Sequence, residues 1–223
     1  MKDTIKTTQP KIYLALGDSM SIDFYTGQAG GGAVAQLLRR LQGLAGRLDA
    51  WRLDDRTVDG QTMAGVGGNF HRADRDADLV TMTIGGNDLL QHVGCDPEEF
   101  LPEFGRDYAR LTLGIRQAHP RAVVIVANIY RPAGLSRALC GPLDEANRLI
   151  GFWAGERGFR LADVFGAFLG HEDEYLCRAI EPTLRGAAAI AGLFEAQYRA
   201  AVEGQSQTDD RDEKGRSHAQ TRA

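Results

Sequence analysis

The length of 223 residues, the 43% apolar content and the 25% charged content are typical of one globular domain with a sizeable core. The net charge of -4 argues against nucleic acid as a partner, and no apolar run approaches the ~20 residues of a membrane-spanning helix. An odd number of widely spaced cysteines and a polar N-terminus without the apolar stretch of a signal peptide favour a cytoplasmic location.

Apolar runs alternate with helical patterns along the chain. Strands are predicted over residues 11–17, 51–58, 77–84, 121–129 and 159–164. Helices are predicted over residues 33–46, 97–119, 143–157 and 182–202. The alternation predicts an α/β fold, in which a mainly parallel five-stranded sheet is covered by helices on both faces. Flanking this domain (11–202), a flexible arm is predicted over residues 1–10 and a disordered polar tail over 203–223.

Small and polar residues follow the predicted strands. Gly17-Asp18-Ser19 ends the first strand, Gly60 follows the second, and Gly85-Gly86-Asn87-Asp88 ends the third. A serine after a strand is by itself more often a helix cap than a nucleophile. Because the carboxyl ends of parallel strands share one edge of the sheet, we expect Ser19, Gly60, Asn87 and the loop after the fifth strand to meet in one crevice.

These blocks, in this order, resemble the GDSL/SGNH hydrolase superfamily over roughly residues 11–200. The resemblance implies a three-layer, flavodoxin-like α/β/α fold and hydrolysis of a carboxylic ester or related acyl bond without a cofactor. It also implies that Ser19 is the nucleophile, and that the backbone N–H groups of Ser19 and Gly60 and the side-chain amide of Asn87 bind the oxyanion. Acyl transfer needs such donors, aimed at the oxygen that becomes negative.

The last block departs from the superfamily pattern, which is Asp-x-x-His-Pro followed by a glycine. Here the aligned stretch runs from Arg178 through Glu181-Pro182 to Gly186, so that glutamate stands in place of the histidine base and arginine in place of the aspartate. A glutamate with a reference pKa of about 4.3 is a poor base for a serine hydroxyl, although burial raises such a pKa.

Three hypotheses address this departure. In the first, His171 in the loop after the fifth strand is the base, and Glu181 orients its imidazole. In the second, Glu181 pairs with Arg178 or Arg185 and caps the last helix, and the protein binds a ligand without catalysis. In the third, which is the least favoured, His171 and its acidic neighbours hold a metal.

Other polar residues are secondary candidates. His71 and His92 are competing histidines near the crevice, and Asp23 is either a loop cap or a substrate-facing carboxylate. Asp88 is expected to hold the Asn87 turn. Arg131 is interpreted as a solvated loop residue in preference to an anion contact, and the glycine-rich stretch 27–32 as a mobile loop beside the site, since it matches neither nucleotide-binding fingerprint.

The sequence therefore predicts a serine hydrolase that forms an acyl-serine intermediate with a small-molecule ester, with Ser19, Gly60, Asn87, His171 and Glu181 as site residues. The alternative is a catalytically degenerate protein of the same fold that binds an acylated or carbohydrate ligand. No metal, nucleic acid or membrane span is expected, and the oligomeric state is left open.

Overall fold

Five parallel strands form the centre of the molecule in a computed structural model that describes residues 9–47, 50–68, 76–135 and 137–220. The strands are β1 (Lys11–Gly17), β2 (Trp51–Thr57), β3 (Leu79–Thr83), β4 (Val123–Ala127) and β5 (Arg160–Ala162). Their order across the sheet is β2-β1-β3-β4-β5, which is the flavodoxin-like order. The predicted α/β/α fold with a five-stranded parallel sheet is confirmed; β1 has the predicted bounds, and the ends of the other four strands lie within two residues of the predicted ones.

Helices cover both faces of the sheet, since the central strands β1, β3 and β4 are buried on both sides. The helices are α1 (Ala33–Ala45), α2 (Met63–Gly67), α3 (Gly86–Gln91), α4 (Pro97–Ala118), α5 (Arg137–Glu156), α6 (Val164–Phe168), α7 (Glu172–Tyr175) and α8 (Leu184–Gln220). A single turn of 3-10 helix spans Phe24–Thr26, and a small hairpin pairs β6 (Leu176–Cys177) with β7 (Glu181–Pro182).

Alternate side chains of each strand enter two separate cores. Leu14 and Leu16 of β1 belong to the core that α4 and α5 complete, whereas Tyr13 and Ala15 belong to the core completed by α1 and α8. These four side chains and their neighbours on β3 are almost fully buried. With both faces packed, the sheet is a rigid support for the loops at its carboxyl edge.

Two helix boundaries differ from the prediction. Helix α5 begins at Arg137, so that Pro142 lies inside its first turns and does not precede a start at residue 143. A proline in the first turns removes few helical hydrogen bonds, because the N–H groups there have no partner or only just acquire one. Proline near a helix start therefore marks the start only to within a turn.

The last helix also differs. Helix α8 continues to Gln220, through most of the segment 203–223 for which a disordered tail was predicted. That prediction was based on the absence of large apolar residues. Such an absence indicates that a segment forms no core, but it does not exclude a helix. The segment has no proline and contains several residues with high helix propensity. The predicted arm, apart from Gln9 and Pro10, and residues 221–223 lie outside the described residues.

Candidate active site

Ser19 lies at the carboxyl edge of the sheet because Gly17 turns the chain sharply out of β1. Gly17 has φ +145°, and a Cβ atom at this position would overlap Thr83 Oγ1 and lie 2.5 Å from the Thr83 carbonyl oxygen. The Asp18 N–H donates to that same carbonyl at 3.0 Å, and Ser21 Oγ lies 2.7 Å from Thr83 Oγ1. The turn that carries Ser19 is thus attached directly to the neighbouring strand β3.

Asp18 supports the turn from inside. It is 2% exposed, and one of its carboxylate oxygens accepts the Met20 N–H at 3.1 Å. Burial raises the pKa of Asp18 to about 7, although the hydrogen bonds from Met20 and Thr83 oppose the shift, and the nearby Glu181 carboxyl adds to it. A carboxyl group that is only partly ionised near neutral pH therefore lies beside the candidate nucleophile.

Glu181 is the ionisable group next to Ser19. Glu181 is 7% exposed, and it lies close enough to Ser19 for the serine hydroxyl to affect its pKa. Burial raises the pKa of Glu181, as does Asp59 more weakly, whereas the Ser19 hydrogen bond and the positive charge of Arg178 lower it. Among the described residues, Glu181 Oε2 is buried without any hydrogen-bond partner. The residue aligned with the usual histidine is thus a buried carboxyl group near Ser19.

The β6–β7 hairpin positions Glu181 through a strained turn. Arg178 and Ala179 have φ values of 50° and 68°, which side chains other than glycine rarely adopt. The turn is held by the loop after β4, where the Ala133 N–H donates to the Ala179 carbonyl at 2.8 Å and the Tyr130 hydroxyl donates to the Ile180 carbonyl. Strain that surrounding contacts maintain is common at functional sites.

The two donors predicted on neighbouring loops are connected to each other. Asn87, in the first turn of α3, donates one hydrogen of its amide to the Gln61 carbonyl at 2.9 Å, which fixes it against the loop that carries Gly60. Gly60 has φ +70° and open space where a side chain would be. Within the described ranges, no group accepts the N–H of Gly60 or of Ser19. Three donors are therefore available at this edge, including the second hydrogen of the Asn87 amide.

His171 lies elsewhere on the surface. Its side chain is 55% exposed, with Nδ1 3.8 Å from Glu174 Oε2, and its ring stacks on Tyr175 with centroids 5.2 Å apart. Within the part of the chain that the structure describes, it has no contact with Ser19 or Glu181. The structure gives no support to His171 as the base, because its loop forms α7 and directs the imidazole along that helix.

The cap and metal hypotheses are also not supported by the contacts. Thr183, not Glu181, precedes α8, and its hydroxyl accepts the Gly186 N–H at 3.2 Å, while Arg185 pairs with Glu174. The prediction that Glu181 caps the last helix is therefore wrong. The described residues include no group of three or more metal-ligating side chains at His171 or elsewhere.

The side chains of Asp23, Asp88 and Arg131 make contacts within the protein. Asp23 accepts the N–H groups of Gly30 and Gly32 at 2.6 and 2.7 Å, so it organises the glycine-rich loop. Both oxygens of Asp88 accept the Met63 N–H at 3.2 Å, which caps α2 and does not hold the Asn87 turn. Arg131 pairs with Glu172 at 3.3 Å. His71 lies outside the described residues.

An apolar cavity of about 280 Å³ opens beside Ser19, and sequence reasoning did not foresee it. Ser19, Asp18 and Asn87 line one end, and most of the wall is apolar, including Leu89, Leu90, Phe100, Ile129, Leu135, Leu143 and Ile180. The wall combines α3, the start of α4, the loop after β4 and α5. Only the packing of these separate elements creates the cavity, although the position of Tyr130 directly after a strand was a signal for part of it.

The strand order defines an α/β/α protein of the flavodoxin-like class, in which Ser19 lies in the turn at the carboxyl edge of β1. The chain belongs to the GDSL-like lipase/acylhydrolase family, whose model matches residues 15–189. This membership confirms the resemblance and supports ester hydrolysis in general.

Solved structures agree on the fold. A lipase from a goat rumen metagenome has TM-score 0.72 and 23% identity, and the match covers 84% of this chain and 97% of that one. An acetylxylan esterase from Geobacillus stearothermophilus has TM-score 0.67 and 17% identity, covering 84% and 93%. A phospholipase A1 from Streptomyces albidoflavus has TM-score 0.61 and 20% identity, covering 84% and 99%. No curated protein matches the sequence. Across the described ranges, every helix is too short or too polar to cross a membrane.

Proposed function

We propose that this protein is a serine hydrolase that cleaves carboxylic esters with an apolar acyl group, with Ser19 as nucleophile and Glu181 as its base. The observation that carries the proposal is the position of the buried Glu181 carboxyl close to Ser19, at the same edge as three hydrogen-bond donors without a partner among the described residues. A nucleophile, a base within reach and an oxyanion site are the parts that acyl transfer requires.

The reaction proceeds in two halves. The Ser19 hydroxyl transfers its proton to the Glu181 carboxylate as its oxygen attacks the ester carbonyl carbon. The N–H groups of Ser19 and Gly60 and the amide of Asn87 stabilise the oxyanion of the tetrahedral intermediate. The intermediate collapses, the C–O bond to the alcohol breaks, and the alkoxide takes the proton from Glu181. Water then attacks the acyl-serine with the same proton path, which releases the carboxylic acid and restores the hydroxyl.

Glutamate limits the rate of this scheme. The catalytic efficiency of a base depends on its pKa, and a carboxylate is intrinsically weaker than an imidazole at neutral pH. Burial raises the pKa of Glu181 and so increases its basicity once it is ionised. We therefore expect slow turnover that is most easily measured on esters with good leaving groups.

The second candidate is a ligand-binding protein without catalysis. The observation that favours it is the apolar cavity beside Ser19, since such a cavity can hold an acyl chain without any proton transfer. An acylated ligand would occupy this cavity in either case. A cytoplasmic location remains a prediction based on the odd number of cysteines.

The test compares wild type, Ser19→Ala and His171→Ala on 4-nitrophenyl esters of short and medium acyl chains, with fluorophosphonate labelling of Ser19 as a second readout. We expect hydrolysis and labelling in wild type, loss of both in Ser19→Ala, and unchanged rates in His171→Ala. Background rates and no labelling in all three proteins would exclude the hydrolase and favour the binder. Loss of hydrolysis in His171→Ala, with labelling of Ser19 lost as well, would instead restore the His171 hypothesis.

A further inference from the structure

The apolar cavity beside Ser19 has a further polar side chain, besides Ser19, Asp18 and Asn87. His92 follows α3 and lines the cavity together with Cys95 and the apolar residues of the wall. The proposed mechanism uses no imidazole at this position. A few polar groups in an otherwise apolar ligand cavity commonly set the orientation and the chemistry of the ligand.

Two contacts fix the His92 ring. Nδ1 lies 2.8 Å from the carbonyl oxygen of Asp88, and the ring stacks on Phe100 with centroids 5.1 Å apart and planes inclined by 18°. A carbonyl oxygen only accepts hydrogen bonds, so Nδ1 carries the proton and Nε2 of the neutral ring is an acceptor. Among the described residues, none hydrogen-bonds to Nε2. The protein thus holds an unused acceptor on a ring of fixed orientation.

We propose that His92 is a specificity-determining residue that accepts a hydrogen bond from a hydroxyl group on the substrate's acyl chain. The enzyme would then prefer hydroxyacyl esters to plain alkanoyl esters. This inference rests on the proposed function. A site that presents an acceptor for a substrate hydroxyl discriminates against the analogue that lacks it, because the acceptor is then desolvated without a partner.

The acyl part is assigned to the cavity because it remains bonded to Ser19 after the alcohol has left. Ser19, Asn87 and His92 all line this one cavity. Gly60 does not line it and instead has open space beside it, which leaves that side for the departing alcohol. The donor is a hydroxyl and not an ammonium group, since burying a charged group among the apolar side chains around His92 is costly.

The experiment measures kcat/KM by pH-stat titration, under mildly alkaline conditions, for ethyl hexanoate and for its derivatives with a hydroxyl on the β carbon or the terminal carbon. The variant is His92→Phe, which keeps an aromatic ring for stacking on Phe100 but has no acceptor. We expect wild type to favour one hydroxy ester by about tenfold over ethyl hexanoate, the effect of one hydrogen bond to a partly buried acceptor. In His92→Phe the ratio should fall to one or below.

Equal kcat/KM for all esters in wild type, or an unchanged preference in His92→Phe, would overturn the inference. A calorimetric binding series with the matching amides, which an esterase does not cleave, separates it from the proposed function. If no ester is hydrolysed but wild type binds one hydroxy amide about tenfold more tightly than hexanamide and His92→Phe does not, the hydrolase fails and the His92 inference stands. Equal amide affinities, or no binding of any amide, overturn it.

Discussion

Replacing Glu181 by glutamine tests the central contact of the site. Glutamine has nearly the same shape, but it cannot accept a proton from Ser19. If Glu181 is the base, kcat should fall by about 10²–10⁴, which corresponds to about 3–5 kcal/mol of transition-state stabilisation. KM should change little, because the cavity wall that holds the acyl chain does not include Glu181.

Although Glu181→Gln should lower kcat, its free energy of unfolding should increase or stay unchanged. The pKa of Glu181 is raised in the folded protein, mainly by burial, and Oε2 has no partner among the described residues. A raised pKa means that the stability contributed by this group is complete below its unfolded pKa and is lost as the pH rises through the folded pKa. The glutamine side chain does not ionise, so the variant loses no stability in this way as the pH rises. Its free energy of unfolding at neutral pH should therefore not fall below that of wild type.

The assay combines steady-state kinetics on a 4-nitrophenyl ester with urea unfolding at neutral pH. Glu174→Gln is the matched control, since Glu174 lies nearby on α7 but is exposed and pairs with Arg185. It should leave kcat unchanged. A Glu181→Gln enzyme with kcat within threefold of wild type would refute Glu181 as the base. A parallel loss of kcat and of stability would indicate that Glu181 acts only by holding the hairpin in place.

Four further outcomes are expected. Asp18→Asn should remove a pH dependence of stability, because the pKa of Asp18 is about 7 in the folded protein against an ordinary 3.8. As the pH rises between these two values, the wild-type free energy of unfolding should fall relative to that of the variant by on the order of 4 kcal/mol. Urea titrations at several pH values measure this difference, and a difference that does not change with pH would contradict the burial argument. Gly17→Ala should destabilise by about 3–5 kcal/mol, because it combines an unfavourable φ with overlap against β3; a melting temperature equal to that of wild type would refute it. Asn87→Ala should lower kcat by about 10²–10³, and an unchanged kcat would remove Asn87 from the oxyanion site. Arg178→Gln should move the acidic limb of the pH–rate profile to higher pH, because Arg178 lowers the pKa of Glu181; an unmoved limb would show that the charge does not reach the carboxyl.

The sequence predicted those parts of the site that depend on strand order. Ser19, Gly60 and Asn87 each follow a strand, and parallel strands end at one edge, so their convergence needed no knowledge of packing. The glycine at position 17 was a visible signal of a tight turn, and the structure adds the reason, which is the close approach of Thr83.

The position of the base did not follow from the sequence in the same way. His171 was favoured because it is the histidine in the loop after the fifth strand, but that loop forms a short helix and a hairpin whose geometry depends on two residues with positive φ. No pattern of residues predicts positive φ at an arginine followed by an alanine. The turn exists because the loop after β4 holds it, through contacts of Ala133 and Tyr130 that are remote in sequence.

The two departures from the superfamily pattern are physically consistent with each other. In the usual block an aspartate supports a histidine, which becomes positive during the reaction. A glutamate base is instead negative before the reaction, so an aspartate three residues earlier would repel it and raise its pKa further. Arg178 in that position lowers the pKa of Glu181 and opposes the effects of burial and of Asp59. A binder with no use for an ionised Glu181 would not require this compensation, so the paired change favours a site adapted to a carboxylate base over one that has simply lost its histidine.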